Sequence, residues 1–193
     1  MLPREMEEAV RHPRWMITIS NGTEAQQLAQ AAQRVGRATR IHLKVDTGMG
    51  RAGSFSEEAL ALLQHLRHNT ALRIEGLFSH LATAEEDLTE ARRQRDTLQR
   101  ASEKARAAGL TIPHVHLQNS AGAVRLPAVP WLDMIRCGLS LYGVGRPAAA
   151  WQKRFGAKGL RPVLAWKTRV LLVREVPAGT PVSYGQTFRA QRS

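Results

Sequence analysis

Four short stretches carry the residues able to do chemistry. They are Lys44-Val45-Asp46-Thr47-Gly48-Met49-Gly50-Arg51, Phe78-Ser79-His80-Leu81-Ala82-Thr83-Ala84, Gln118-Asn119-Ser120-Ala121-Gly122 and Ile135-Arg136-Cys137-Gly138-Leu139-Ser140-Leu141-Tyr142-Gly143. In the first, an apolar strand runs into a glycine-rich turn that ends in a cation. Gly48 and Gly50 allow backbone angles that other residues resist and let the main chain approach a ligand closely. Arg51 can hold an anionic or phenolate oxygen with a rigid fork of donors. In the third, Ser120 and the amides after it open a short helix, a natural anion site, although Ser120 taken alone reads as an ordinary helix cap. Gly138 and Leu139 offer further backbone N–H groups, so one phosphate could be held without any lysine. His80 taken alone reads as a satisfied polar residue. Arg136 on an apolar strand is harder to explain structurally, because a buried guanidinium needs a partner. His114 and His116, two apart on a strand, face the same way and form the start of a possible metal site.

Each stretch ends a predicted strand. Residues 15–19, 41–46, 72–79, 114–118 and 133–137 read as short buried strands. Between them the helical period recurs. Ala25, Leu28, Ala32 and Val35 share one face, with Asn21 or Thr23 as cap and Gly36 as stop. Leu60, Leu63 and Leu66 form a second stripe, opened by Ser56 as cap with Glu57 and Glu58 in the first turn. Leu88, Ala91, Leu98, Ala101 and Ala105 form a third, ended by Gly109. Strands separated by helices of this size predict a parallel α/β sheet, and repeated units favour a barrel. All four chemical stretches would then face one mouth of that barrel. After Pro147 the pattern changes. Residues 148–160 read as a linker, 163–176 as a long extended stretch, 177–179 as a turn and 181–188 as another strand, the opening of an all-β domain.

Composition narrows the class. The chain has 193 residues and 43% hydrophobic content, enough for a core. Its net charge is +12, but the arginines are scattered over helices and loops and few aromatics are available for base stacking, so no nucleic-acid partner is expected. Cys137 is the only cysteine, which fits a reducing compartment. The N-terminus lacks the apolar core of a signal peptide and no run approaches a membrane span, so a cytoplasmic protein is expected.

In this order and spacing, the four stretches resemble alanine racemase, a pyridoxal-phosphate-dependent family of fold-type III. Arg136 with the Gly138-Leu139-Ser140-Leu141-Tyr142-Gly143 run and the 44–51 block are the most specific parts. The resemblance covers almost the whole chain, from the middle of the family's barrel to the start of its β domain. It implies a partial TIM (β/α)8 barrel, about strands 4–8, over residues 1–147, a linker at 148–160, and the beginning of a C-terminal β domain at 161–193. Five strand–helix units are fewer than the eight strands and roughly 250 residues of a closed barrel. The remaining strands are expected from elsewhere, or the chain folds poorly.

The resemblance also implies roles. Arg136 would point at the pyridine nitrogen of pyridoxal 5'-phosphate. His80 would bridge Arg136 to a catalytic tyrosine. Arg51 would contact the cofactor's phenolic oxygen and the substrate carboxylate, and Lys44, often carbamylated in the family, would fix Arg51 in place. Ser120, Gly138 and Leu139 would bind the phosphate, and Asn119 would orient nearby groups. The implied reaction interconverts L- and D-alanine for peptidoglycan precursors, in a homodimer whose partner completes the site. Serine or another small amino acid also remains open as substrate. Two departures matter. No Lys-Ala-Asn-Ala-Tyr-Gly type motif is present; the lysines are Lys44, Lys104, Lys153, Lys158 and Lys167. No Gly-Tyr-Ala-Asp-Gly type motif is present either, and Tyr184 lies in a different segment. The chain thus carries the middle of the site and neither base, so no racemase activity is expected of it alone and a dimer is doubtful. Two other readings stay open: a metal-dependent barrel hydrolase using His114 and His116, and a non-catalytic basic remnant.

Overall fold

Strand and helix alternate because apolar runs of period two are broken by stripes of period 3.6. The computed structural model describes residues 3–145, 148–156, 159–182 and 184–192. They divide into two compact units, Met1–Val163 and Leu164–Ser193. In the first unit the order is α1 (Pro3–Arg11), β1 (Met16–Ile19), α2 (Gly22–Val35), β2 (Thr39–Lys44), α3 (Ser56–Leu66), β3 (Leu72–Phe78), α4 (Leu88–Ala107), β4 (His114–His116), α5 (Ser120–Arg125) and α6 (Ala148–Phe155).

β1 to β4 form one parallel sheet in sequence order. Ile17 pairs with Ile41, Leu43 with Leu77 and Leu77 with Val115. These side chains share the face that α2, α3 and α4 cover with Leu28, Leu63 and Leu98. The alternate positions, Thr18, His42, Phe78 and His116, point the other way and line a cavity of about 920 Å³ with Met134 and Arg136. The pleat therefore separates packing residues from chemical ones.

Caps fix the helix starts. Asn21, not Thr23, caps α2, its side chain accepting from Glu24 N at 2.8 Å. Ser56 does not cap α3: it is the first helical residue, and Glu58 reaches back to accept from Phe55 N at 3.2 Å. Helix α1 was not expected from sequence. Met6, Ala9 and Val10 bury its inner face, and Glu7 pairs with Arg34 of α2 at 2.6 Å; their i, i+3, i+4 spacing was the available signal.

Further differences lie toward the C-terminus. The strand expected at 133–137 is reduced to a single parallel bridge, Met134 to His116, flanked by Asp133 N donating to Val115 O and Arg136 N to Gln118 O. It sits at the sheet edge, where Met134 and Ile135 are exposed and, among the described residues, no second neighbour extends the ladder. Residues 148–155, within the expected linker, form α6: its alanines favour helix and Trp151 is buried. No strand forms over 163–176 among the described residues, and Trp166 and Leu171 of the second unit are 90% and 96% exposed. A strand needs a partner for its backbone groups, and among its described residues the second unit supplies only β5 (Pro181–Val182) and β6 (Phe188–Arg189), a short antiparallel pair. The single strand expected at 181–188 is thus broken into two by the turn around Gly185. Among the described residues no helix is long and apolar enough to cross a membrane.

Leu98 of α4 is 0% exposed. Leu98→Ala should cost about 2–5 kcal/mol through the cavity it leaves, and Leu98→Met less than about 1.5 kcal/mol, both read as shifts of the urea unfolding midpoint.

Candidate active site

The loop after β2 is organised by one carboxylate. Asp46 accepts from the backbone N–H groups of Gly48, Met49 and Gly50 at 2.9, 2.8 and 3.2 Å and of Arg51 at 3.1 Å. Burial alone would raise its pKa, but these donors hold it below the usual carboxylate range. Gly48 and Gly50 both take positive φ, as expected. Gly53, which the sequence reading did not single out, is more constrained: at φ 119° a Cβ there would lie 2.8 Å from Asp46 N and 2.9 Å from Lys44 O. The turn carries Arg51 out to an exposed position. Lys44, the last residue of β2, is only 7% exposed. Burial lowers its pKa, the charges of Arg51 and Arg136 lower it further, and Asp46 partly opposes them. Among the described residues no carboxylate forms an ion pair with it.

Arg136 is the centre of the arrangement. Its guanidinium donates to Ser79 O at 2.6 Å, Leu117 O at 3.1 Å and His80 Nδ1 at 3.3 Å, and closely to His116 Nδ1. It also lies 5.0 Å from the centroid of the Phe78 ring. Burial lowers its pKa to about 10, so it stays charged at neutral pH.

The donor-only chemistry of Arg136 fixes the tautomers behind it. His116 must accept at Nδ1, so its proton sits on Nε2. That proton faces His42 Nδ1 at 2.8 Å, which leaves the proton of His42 on Nε2. His42 Nε2 is buried with no hydrogen-bond partner among the described residues. Gly76, beside His42 on β3, makes room for that ring: a Cβ there would lie 2.7 Å from it. Burial and the charge of Arg136 push His116 from 6.5 down to about 3. Burial followed by His114 lowers His42. Burial followed by Arg136, Arg51 and Lys44 lowers His80.

A second cluster lies two residues beyond Arg136. Ser120 Oγ accepts from Gly138 N at 3.0 Å and Ser140 N at 3.3 Å and stands 3.1 Å from Ser140 Oγ. A Cβ on Gly138 would meet nothing within 4 Å, so open space adjoins this cradle. Leu139 opens the 3-10 turn Leu139–Tyr142 with its side chain exposed. Asn119, rather than Ser120, is the side-chain cap of α5, accepting from Gly122 N at 2.9 Å.

The structure therefore brings Arg136 to His80, and Ser120 to Gly138, and sets Lys44 among the charges of Arg51 and Arg136. His114 and His116 do not act together: His114 Nδ1 bonds Asp133 Oδ2 at 2.6 Å, whereas His116 serves Arg136 and His42. Among the described residues no group of three or more potential metal ligands is assembled. Sequence reasoning missed His42 and Asp46 as structural agents. The signal was present in alternation, since His42 and Lys44 share the face that carries chemistry.

Neutral buried imidazoles give the stability a sign. The unfolded chain binds protons at these histidines below about 6.5 while the folded chain binds them only near about 3 at His116, so stability rises with pH across that window. Urea midpoints should fall between about pH 7.5 and about pH 5.5, and fall less for His116→Asn. Nitrogen NMR should find His116 neutral and protonated at Nε2 across the same range.

The sequence matches the family described as "Alanine racemase, N-terminal domain" over residues 1–146. It is 37% identical over 187 residues to the alanine racemase of Symbiobacterium thermophilum, covering 96% of this chain and 48% of that protein. It is 38% identical over 185 residues to that of Desulfosudis oleivorans, covering 89% and 45%. Among solved structures, the alanine racemase of Clostridium difficile 630 superposes with a TM-score of 0.81 at 27% identity, over 100% of this chain and 49% of that one. That of Streptomyces coelicolor does so with a TM-score of 0.78 at 30% identity, over 96% and 49%. The chain spans about half the length of the curated relatives it matches. Those relatives have a TIM-barrel-like α/β fold, and the family is pyridoxal-phosphate-dependent in general. On its matched length and its identity to these relatives, the chain belongs to the alanine racemase family.

Proposed function

We propose that this chain holds the ring and phosphate of pyridoxal 5'-phosphate in an alanine racemase. The observation that carries the reading is Arg136, held by four acceptors beside an open cavity, with the Ser120–Gly138 cradle two residues further on. In this reading residues 1–147 are about strands 4–8 of a barrel and 161–193 open a C-terminal β domain. The small-molecule partner is alanine and the location is the cytoplasm.

The residues fit the group. The Ser120 hydroxyl and the amide of Leu139 suit a phosphate as donors, and the amides of Gly138 and Ser140, which here donate to Ser120 Oγ, would turn from it to the phosphate. Arg136 directed at the ring nitrogen would leave that nitrogen unprotonated, since a guanidinium only donates. The bound cofactor supplies an electron-withdrawing ring that acidifies the α-C–H of alanine. His80, half-buried and held neutral beside Arg136, can pass a hydrogen bond from Arg136 to a phenol beyond it. Arg51 offers its fork to the substrate carboxylate. Asn119, as cap of α5, holds Ser120 at the helix start.

Lys44 has a distinct part. Burial and two neighbouring cations leave its amine in the neutral, nucleophilic form more readily than usual. Loss of one proton from the ammonium, then reaction of the amine with CO2 to a carbamate with loss of a second proton, would turn an unpaired cation into an anion able to pair with Arg51. Isotope-labelled bicarbonate should give a carbamate signal on the wild-type chain and none on Lys44→Met.

The proton-moving groups of the family, a lysine and a tyrosine in their motifs, are not in this sequence. The purified chain with added cofactor should therefore bind it without racemising alanine. Ser120→Ala should weaken binding by about 1.5–3 kcal/mol, roughly tenfold or more, followed by absorbance of the bound cofactor. Robust turnover, or cofactor fixed covalently to protein by borohydride, would overturn the inactivity. Equal cofactor affinity in wild type and Ser120→Ala would overturn the phosphate assignment.

A further inference from the structure

Helix α4 buries two polar side chains on its packing stripe, and while Ser102 only bonds back to Gln99 O of its own helix, Gln94 reaches outside it. Gln94 lies three residues after Ala91 and four before Leu98, and it is 0% exposed. Its amide is fully engaged. Oε1 accepts from Ala82 N at 2.9 Å, and Nε2 donates to His80 O at 3.1 Å and to Thr47 Oγ1 at 3.4 Å. Thr47 Oγ1 in turn lies 2.8 Å from Ser79 Oγ, and Arg93, the neighbour of Gln94, donates to Thr47 O at 3.1 Å. These partners belong to two different loops. Thr47 stands four residues before Arg51 in the loop after β2, and 79–82 is the loop after β3 that carries His80.

We propose that Gln94 is a positioning residue that locks these two loops together and so fixes how the His80 imidazole meets Arg136. The inference rests on reading His80 and Arg136 as site residues. The chemistry calls for an amide. Ala82 N–H needs an acceptor and His80 C=O needs a donor, and one planar amide supplies both from neighbouring atoms. A carboxylate would set an acceptor against the carbonyl, and an alkyl group would satisfy neither. The helix is a suitable anchor because Ala91, Leu98 and Ala105 bury it against the sheet. The loop set is therefore referenced to the core rather than to solvent.

NMR on the whole cofactor-free chain tests the proposal. In wild type, the two Nε2 protons of Gln94 should exchange slowly and show contacts to Thr47 and Ala82, whereas those of the exposed Gln26 and Gln30 exchange fast. In Gln94→Leu, the His80 pKa should rise toward its ordinary value. The ring then leaves the burial and the Arg136, Arg51 and Lys44 charges that depress it, while His42 and His116 keep their titration. A general loss of stability would not move one histidine and spare the other two. In Thr47→Val, which keeps the shape and removes the acceptor, Gln94 side-chain exchange should quicken. An unchanged His80 in folded Gln94→Leu would overturn the proposal. So would a common shift of all three histidines. If that variant does not fold, fast Gln94 exchange in wild type, or exchange unaltered in Thr47→Val, overturns it instead. Failure of the wild-type chain to bind pyridoxal phosphate would count against the functional reading alone, because no measurement here uses the cofactor.

Discussion

A guanidinium that cannot accept a hydrogen bond and is half withdrawn from water must be surrounded by acceptors, and the end of the sheet is arranged around that demand at Arg136. Two backbone carbonyls, Ser79 O and Leu117 O, meet it where β3 and β4 finish, and two imidazoles complete the set. This ties the ends of two strands to the segment 133–138, which pairs with β4 through only one bridge. A weak edge is thereby held by a strong cation. The neutral state of His116 and the tautomer of His42 follow from the same demand rather than from separate devices.

The loop after β2 solves a different problem. A chain leaving a buried strand must reverse, expose a cation and keep its amides satisfied. Asp46 answers by gathering four consecutive N–H groups on one carboxylate. The closure requires the backbone to return within contact distance of Lys44 O, and Gly53 permits that approach. Thr47, at the buried shoulder of the loop, then offers the hydroxyl and carbonyl that α4 holds through Gln94 and Arg93. Backbone chemistry shapes the loop and helix side chains set its place.

Much of this was legible in the sequence. The strand–helix alternation, the three helical stripes and the four chemical stretches are local patterns, and local patterns decide local structure. Arg136 and His80 were identified, and they meet. What remained hidden depends on contacts distant in sequence. Gln94 looks like one more polar residue on a polar helix until Thr47 and Ala82 are set beside it. His42 gains its meaning only when β4 brings His116 across from it. Helix α1 was passed over because Met6, Ala9 and Val10 lie among charged neighbours. The strand at 133–137 was overread because β propensity says nothing about whether a second neighbour exists. The same holds for 163–176, whose apolar residues favour a strand that this unit cannot pair.

Charge supplies the last constraint. Lys44, Arg51 and Arg136 depress the basicity of shared neighbours, so their fields overlap in one region. The one carboxylate among them, Asp46, is turned toward backbone amides, which hold it ionised but divert its hydrogen-bonding capacity to the loop. His42, His80 and His116 add little positive or compensating charge, because burial lowers the pKa of each. The cavity of about 920 Å³ is lined by two cations, Arg14 and Arg136, against one carboxylate, Glu24, which accepts from Ser20 N at 2.6 Å, so positive charge is in excess there among the described residues. In a site partly shielded from water such an imbalance is costly alone and favourable toward an anion. On the function proposed above, a phosphate-bearing cofactor and a carboxylate-bearing substrate would answer it, and so would a carbamate on Lys44. The excess cation is therefore better understood as one half of an electrostatic pair whose other half arrives with the chemistry.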